Sequence, residues 1–168
     1  NYDYLLVGQN YQVATLSRSL YVGLPNTVLY VTSSINIGSG GNKKGWALPQ
    51  IHIGPGASLT IYMAGATTSI GGSGLVNDSK EAKNFQYYGL PTNTKIDITG
   101  NGAFYGTIYA PQADLNLKGS GNSTVDDFTG ASITKTTTMT GNFRFHYDEA
   151  LSLLTTLSGY DAVSWKEL

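Results

Sequence analysis

The stretch Ala103-Phe104-Tyr105-Gly106-Thr107-Ile108-Tyr109-Ala110-Pro111-Gln112-Ala113-Asp114-Leu115-Asn116-Leu117-Lys118-Gly119-Ser120-Gly121 decides how the chain is read. It joins an aliphatic–Tyr pair, Ile108-Tyr109, to an alternating run, Leu115-Asn116-Leu117, and closes on Gly-Ser-Gly. The same theme occurs twice upstream, as Leu29-Tyr30 with Gly38-Ser39-Gly40 and as Ile61-Tyr62 with Gly72-Ser73-Gly74. Alternation places aliphatic side chains on one face of a short strand and their neighbours on the other. Gly then supplies a positive φ, so the chain turns a corner without a Cβ clash.

Working outward, the alternation returns in Ile35-Asn36-Ile37, Ile51-His52-Ile53 and Ile96-Asp97-Ile98, and more weakly in Thr137-Thr138-Met139-Thr140. Phe104-x-Gly106 recurs as Phe128-x-Gly130, and Gly100, Gly119 and Gly141 are spaced by 19 and 22 residues. Spacings of roughly 20 residues fit one coil of a stacked repeat, in which each coil buries its aliphatics only against its neighbours. The expected fold is therefore all-β, a right-handed parallel β-helix (β-solenoid), its hand following the bias of parallel crossovers. The expected layout is a single domain over residues 1–168. Residues 1–24 form N-terminal coils or a flanking segment, 25–147 the coils, 148–158 an amphipathic capping helix and 159–168 a tail. Asp148 is its expected N-cap, Leu151, Leu154 and Leu157 its shared face, and Gly159 its stop. Asn77 to Asn84 and Gly38 to Pro49, the latter with Lys43, Lys44 and Trp46, read as loops.

Composition narrows the function. Charged residues make up 12% of the chain, about half the usual share. Net charge is −1, and the only adjacent basic pair is Lys43-Lys44, which argues against a nucleic-acid surface. No apolar stretch is long enough to span a membrane, and there is no signal peptide. The chain starts at Asn1 without Met, which reads as a processed or excised piece. With no cysteine, disulfides and thiolate metal sites are excluded.

Several segments together resemble an uncharacterised bacterial domain found at the C-terminus of PilX-like, type IV pilus assembly-related proteins. They are Asn101 to Asp114 with its Tyr109-Ala110-Pro111-Gln112-Ala113-Asp114 run, Asp127-Phe128-Thr129-Gly130-Ala131, and Phe145-His146-Tyr147-Asp148-Glu149-Ala150-Leu151. Val28-Leu29-Tyr30-Val31, Pro55 to Tyr62 and Tyr88-Gly89-Leu90-Pro91 fit as well. The resemblance implies an exported domain on a bacterial filament or cell envelope, and it carries no catalytic residues.

The candidate binding residues are Tyr30, Tyr62 and Tyr109. If Leu29, Ile61 and Ile108 face inward, these rings face outward and form an aromatic ladder when the strands stack in register. Such a ladder could meet a glycan or a protein. Equally, the rings could stack on one another, or lie under a loop or the N-terminal segment. His146, beside Arg144 and Asp148, lacks the nucleophile that acid–base catalysis would need and reads as a local polar cluster. His52 reads as a surface residue. Asp97, Asp114, Asp126 and Asp127 are too dispersed for a lyase or hydrolase site, the last two reading as turn caps. Asp78 and Glu81 have no calcium-loop motif behind them. Thr134, Thr136, Thr138 and Thr140 read as a polar strand face rather than an ice-binding array. The expected function is thus a non-enzymatic extracellular structural or interaction module, part of a pilus-like or cell-surface assembly. Its expected partners are copies of itself or envelope components, with glycans as the alternative and no cofactor or metal. A polysaccharide lyase or hydrolase comes last.

Overall fold

The computed structural model describes residues 2–38, 49–100, 102–119 and 127–152. Thirteen strands follow one another: β1 (Tyr4–Leu6), β2 (Asn10–Leu16), β3 (Leu20–Val22), β4 (Thr27–Ile37), β5 (Ile51–Ile53), β6 (Leu59–Met63), β7 (Thr67–Gly71), β8 (Leu75–Asn77), β9 (Phe85–Gly89), β10 (Lys95–Thr99), β11 (Phe104–Lys118), β12 (Phe128–Thr140) and β13 (Phe145–Tyr147). All their pairings are parallel.

The two long strands organise the rest. Thr27–Val31 of β4 pairs with β6, while Ser34–Ile37 pairs with β7. In β11, Thr107–Tyr109 pairs with β9, while Asp114–Lys118 pairs with β10. One wall therefore runs β4-β6-β9-β11 and the other β4-β7-β10-β11, and together they close a parallel six-strand barrel. β2 adds to the outer edge of β4, and β12 and β13 extend β11. A separate four-stranded sheet, β1-β3-β5-β8, packs into the same core.

This corrects the expected right-handed β-solenoid with a capping helix. The recurrences do mark registered partners, such as Phe104 with Phe128 and Ile96 with Leu115. They do not reveal that two strands run on through their corners, and that continuity ties both walls into one hydrogen-bonded ring. No α-helix stands among the elements of the described residues. Asp148 does cap a turn, its side chain accepting from the Ala150 N–H, but the turn is a single 3-10 turn, Glu149–Leu151. The remainder of the expected helix and the tail lie outside the described residues, as do Lys43, Lys44 and Trp46.

The interior is a stack of inward aliphatics, with Ile37, Ile51, Ile53, Ile61, Met63, Leu115 and Leu117 fully buried. At one end the core is aromatic. Phe104, Phe128 and Phe145 stack in sequence with ring centroids 4.6 Å apart at each step. The Gly-Ser-Gly copies begin at corners: Gly38 closes β4, and Gly72 follows β7 at φ 56°. Ser39, Gly40, Ser120 and Gly121 lie outside the described residues. Asn77 to Asn84 is a tight turn rather than a free loop. The Asn77 Nδ2 donates to the carbonyls of Glu81 and Tyr105, and the buried Ala82 opens a second 3-10 turn.

Candidate functional site: an outward aromatic column

Strand alternation sets the site. Leu29, Ile61 and Ile108 are buried, so the Tyr after each one faces out. Registration brings Tyr30 opposite Tyr62, Tyr62 opposite Tyr88 and Tyr88 opposite Tyr109. Gln12 continues the column on β2 and Ile133 on β12. Exposure varies along it: Gln12 is exposed, Tyr30 and Tyr88 are half-buried, Tyr62 is 38% exposed, Tyr109 49% and Ile133 60%.

The rings meet one another first. Tyr62 and Tyr88 stack at 5.3 Å and 19°, and Tyr109 tilts against Tyr88 at 6.2 Å and 53°. Stacking covers one face each of Tyr62 and Tyr88, whereas Tyr109 is only tilted against its neighbour and is 49% exposed. Flat stacking on a sugar needs a free face.

Tyr88 was missed in the sequence because Tyr87, rather than an aliphatic residue, precedes it. Tyr87 takes the inward position that Ile61 and Ile108 hold in neighbouring strands. Its hydroxyl donates to Asn93 Oδ1 at 2.9 Å and accepts from Thr68 Oγ1 at 2.6 Å. Asn93, itself fully buried, donates to the carbonyls of Gly65 and Ala66. Burial raises the Tyr87 pKa far above the ordinary tyrosine value, outweighing the two hydrogen bonds.

The second wall carries a polar face. Lys95 Nζ lies 3.1 Å from Asp97 Oδ2, Asn116 donates to Asp97 Oδ1 at 2.9 Å, and Thr136 donates to Asp114 Oδ1 at 2.7 Å. Asp97 and Asp114 are thus closer than the sequence suggested, but each is engaged by a neighbour. Thr136 shares its cross-strand row with Asp114, Lys95, Thr67 and Ser34, so the threonines of β12 do not continue into an array. Asp127 is buried and accepts from the Arg144 N–H one strand away. Asp126 lies outside the described residues.

His52 is less isolated than expected. It faces out between buried Ile51 and Ile53. Its Nε2 lies 2.9 Å from Asp78 Oδ2, and the Tyr2 hydroxyl bonds its Nδ1. Burial, then the charge of Asp78, raises the Tyr2 pKa, so the hydroxyl keeps its proton. The trio ties Tyr2 to β5 and to the turn after β8. Tyr2 and Asp78 are far from His52 in sequence, so no local motif betrayed it. Asp148 accepts from the N–H groups of Ala150 and Ala82, one at each oxygen. Glu81 pairs with Lys83. Among the described residues, no three His, Cys, Asp or Glu side chains gather to hold a metal.

The fold and this surface define an all-parallel β-barrel protein with an aromatic outer wall. Residues 26–154 match a family described as a domain of unknown function, DUF7305, and the chain belongs to that family. No curated protein and no solved structure matches the chain. No helix of the described residues is long and apolar enough to cross a membrane.

Proposed function

We propose that this protein is a non-enzymatic structural and interaction module, exported to the bacterial surface, that works by joining protein neighbours. The observation that carries this reading is the column Gln12-Tyr30-Tyr62-Tyr88-Tyr109-Ile133. It is a continuous, uncharged stripe across the sheet, whose apolar members are most exposed at Tyr109 and Ile133. Tyr is favoured at protein interfaces because it offers apolar area and a polar tip at low entropic cost. The engaged states of Asp97, Asp114, Asp127 and Asp148 support a non-enzymatic role. The pilus-like setting rests on the sequence resemblance alone.

Sedimentation velocity over a range of concentrations tests the reading. The protein is expected to associate reversibly, and Ile133→Lys, at the exposed β12 end of the column, is expected to weaken association about ten-fold. A strictly monomeric protein at high concentration would overturn it.

A further inference from the structure

The two outermost long strands have the same shape. Cross-strand rows connect Asn10 through Val28, Thr60, Gln86 and Thr107 to Ala131. On the other wall they connect Leu16 through Ile35, Thr68, Ile96 and Leu115 to Thr137. β2 and β12 are therefore the first and last members of the same rows. At the corner between the walls each spends one residue, Ala14 in β2 and Lys135 in β12. Their neighbours do not: β4 spends Thr32 and Ser33 there, and β11 spends Pro111 to Ala113. The pairings β2–β4 and β11–β12 both carry register shifts at that point. A pairing of β2 with β12 would carry none.

Among the described residues both strands also leave an edge open: β2 pairs only with β4, and β13 covers only Phe128–Gly130 of β12. β2 has no proline and no charge, and residues 131–140 have one charge, Lys135. Edge strands that must stay solitary usually carry such blockers. Each end is apolar as well. A cavity of about 140 Å³ at the β2 end is lined by Tyr4, Leu6, Tyr11, Val13, Leu16 and Leu20 among others. Met139 and Phe145 are exposed at the β12 end.

We infer that the partner is a second copy of this chain, docked head to tail, with the free edge of β12 in one copy pairing in parallel with β2 of the next. The pairing puts Ala131 opposite Asn10, Ile133 opposite Gln12 and Thr137 opposite Leu16. It continues the rows that β2 and β12 share, including the aromatic column, from one copy into the next. Because the joined surfaces differ, the contact is heterologous and propagates instead of closing as a dimer. This inference rests on the interaction-module reading and specifies its partner and its register.

The chain has no cysteine, so introduced thiols report cleanly. Gln12 and Ile133 are exposed, and within one copy they are five strand steps apart, about 24 Å, too far for a disulfide. The Gln12→Cys/Ile133→Cys variant is expected to give a ladder of covalent multimers on mild oxidation. Its yield should exceed by about ten-fold that of the off-register pair Gln12→Cys/Thr138→Cys, because only registered thiols gain a high effective concentration. Each single variant should give dimers at most. If the wild-type protein associates in sedimentation but no 12–133 ladder forms, the register is wrong while the interaction-module reading stands. If the wild-type protein is monomeric and no ladder forms, both fall. Equal yields from the two pairs would also overturn the register.

Discussion

Tyr87 shows what one buried hydroxyl does in this interior. It joins Thr68 to Asn93, and Asn93 carries the link on to the backbone of Gly65 and Ala66. Tyr87→Phe leaves Thr68 and Asn93 short of a partner, and the expected loss is about 1–3 kcal/mol in denaturant unfolding. The pH dependence has a definite sign. Folding raises the Tyr87 pKa above 10.0, its ordinary value, so above that pH the unfolded chain releases a proton the folded one keeps. Stability is thus full below pH 10 and falls as pH rises beyond it. Tyr87→Phe should flatten that alkaline slope, as measured by urea titrations across the alkaline range. Gly130 is a second sensitive point. Its φ is 152°, and a Cβ there would lie 1.8 Å from the Gly106 carbonyl oxygen. Gly130→Ala must push two strands apart, with an expected cost of about 3 kcal/mol or more in the same assay.

At the scale of elements, β12 is held chiefly by its first residues. Phe128 lies fully buried between the rings of Phe104 and Phe145, and Phe128→Ala is expected to cost about 3–5 kcal/mol in thermal or denaturant unfolding. Phe145→Ala should cost less, because that ring is 37% exposed. The sequence was informative where a side chain reports its own strand. Ile61 beside Tyr62 and Ile108 beside Tyr109 read as inward and outward, and they are. Phe104 and Phe128 announced a registered pair. It was silent where meaning lies in continuity or in distant contacts. Nothing local in Val31-Thr32-Ser33-Ser34 or Ala110-Pro111-Gln112-Ala113-Asp114 says that the strand carries on, and Pro111 argues the reverse. Tyr88 was hidden because Tyr87 broke the aliphatic–Tyr pattern. Asp97 and Asp114 looked dispersed because cross-strand registration, not sequence spacing, brings them to one face.

For the whole molecule, closure sorts the strands by how many neighbours hold them. β6, β7, β9 and β10 each sit between two partners, and β2 has one. Hydrogen exchange should therefore release the amides of β2 first, with those of the barrel strands last and near the global unfolding limit. Folding should be slow, in milliseconds to seconds by stopped flow, since every pairing joins residues distant in sequence.

The closed barrel also has a mechanical consequence. The β2–β4 contact is a single seam, so traction along the rows can unzip it alone. Traction that reaches β4 meets two seams in tandem, one in each wall, and must tear both before the barrel opens. Stretched end to end between β2 and β12, one molecule should shed these two single-seam strands in weaker force peaks before a stronger rupture of the barrel. A filament of such units would lose a terminal strand under load before it lost a subunit's core.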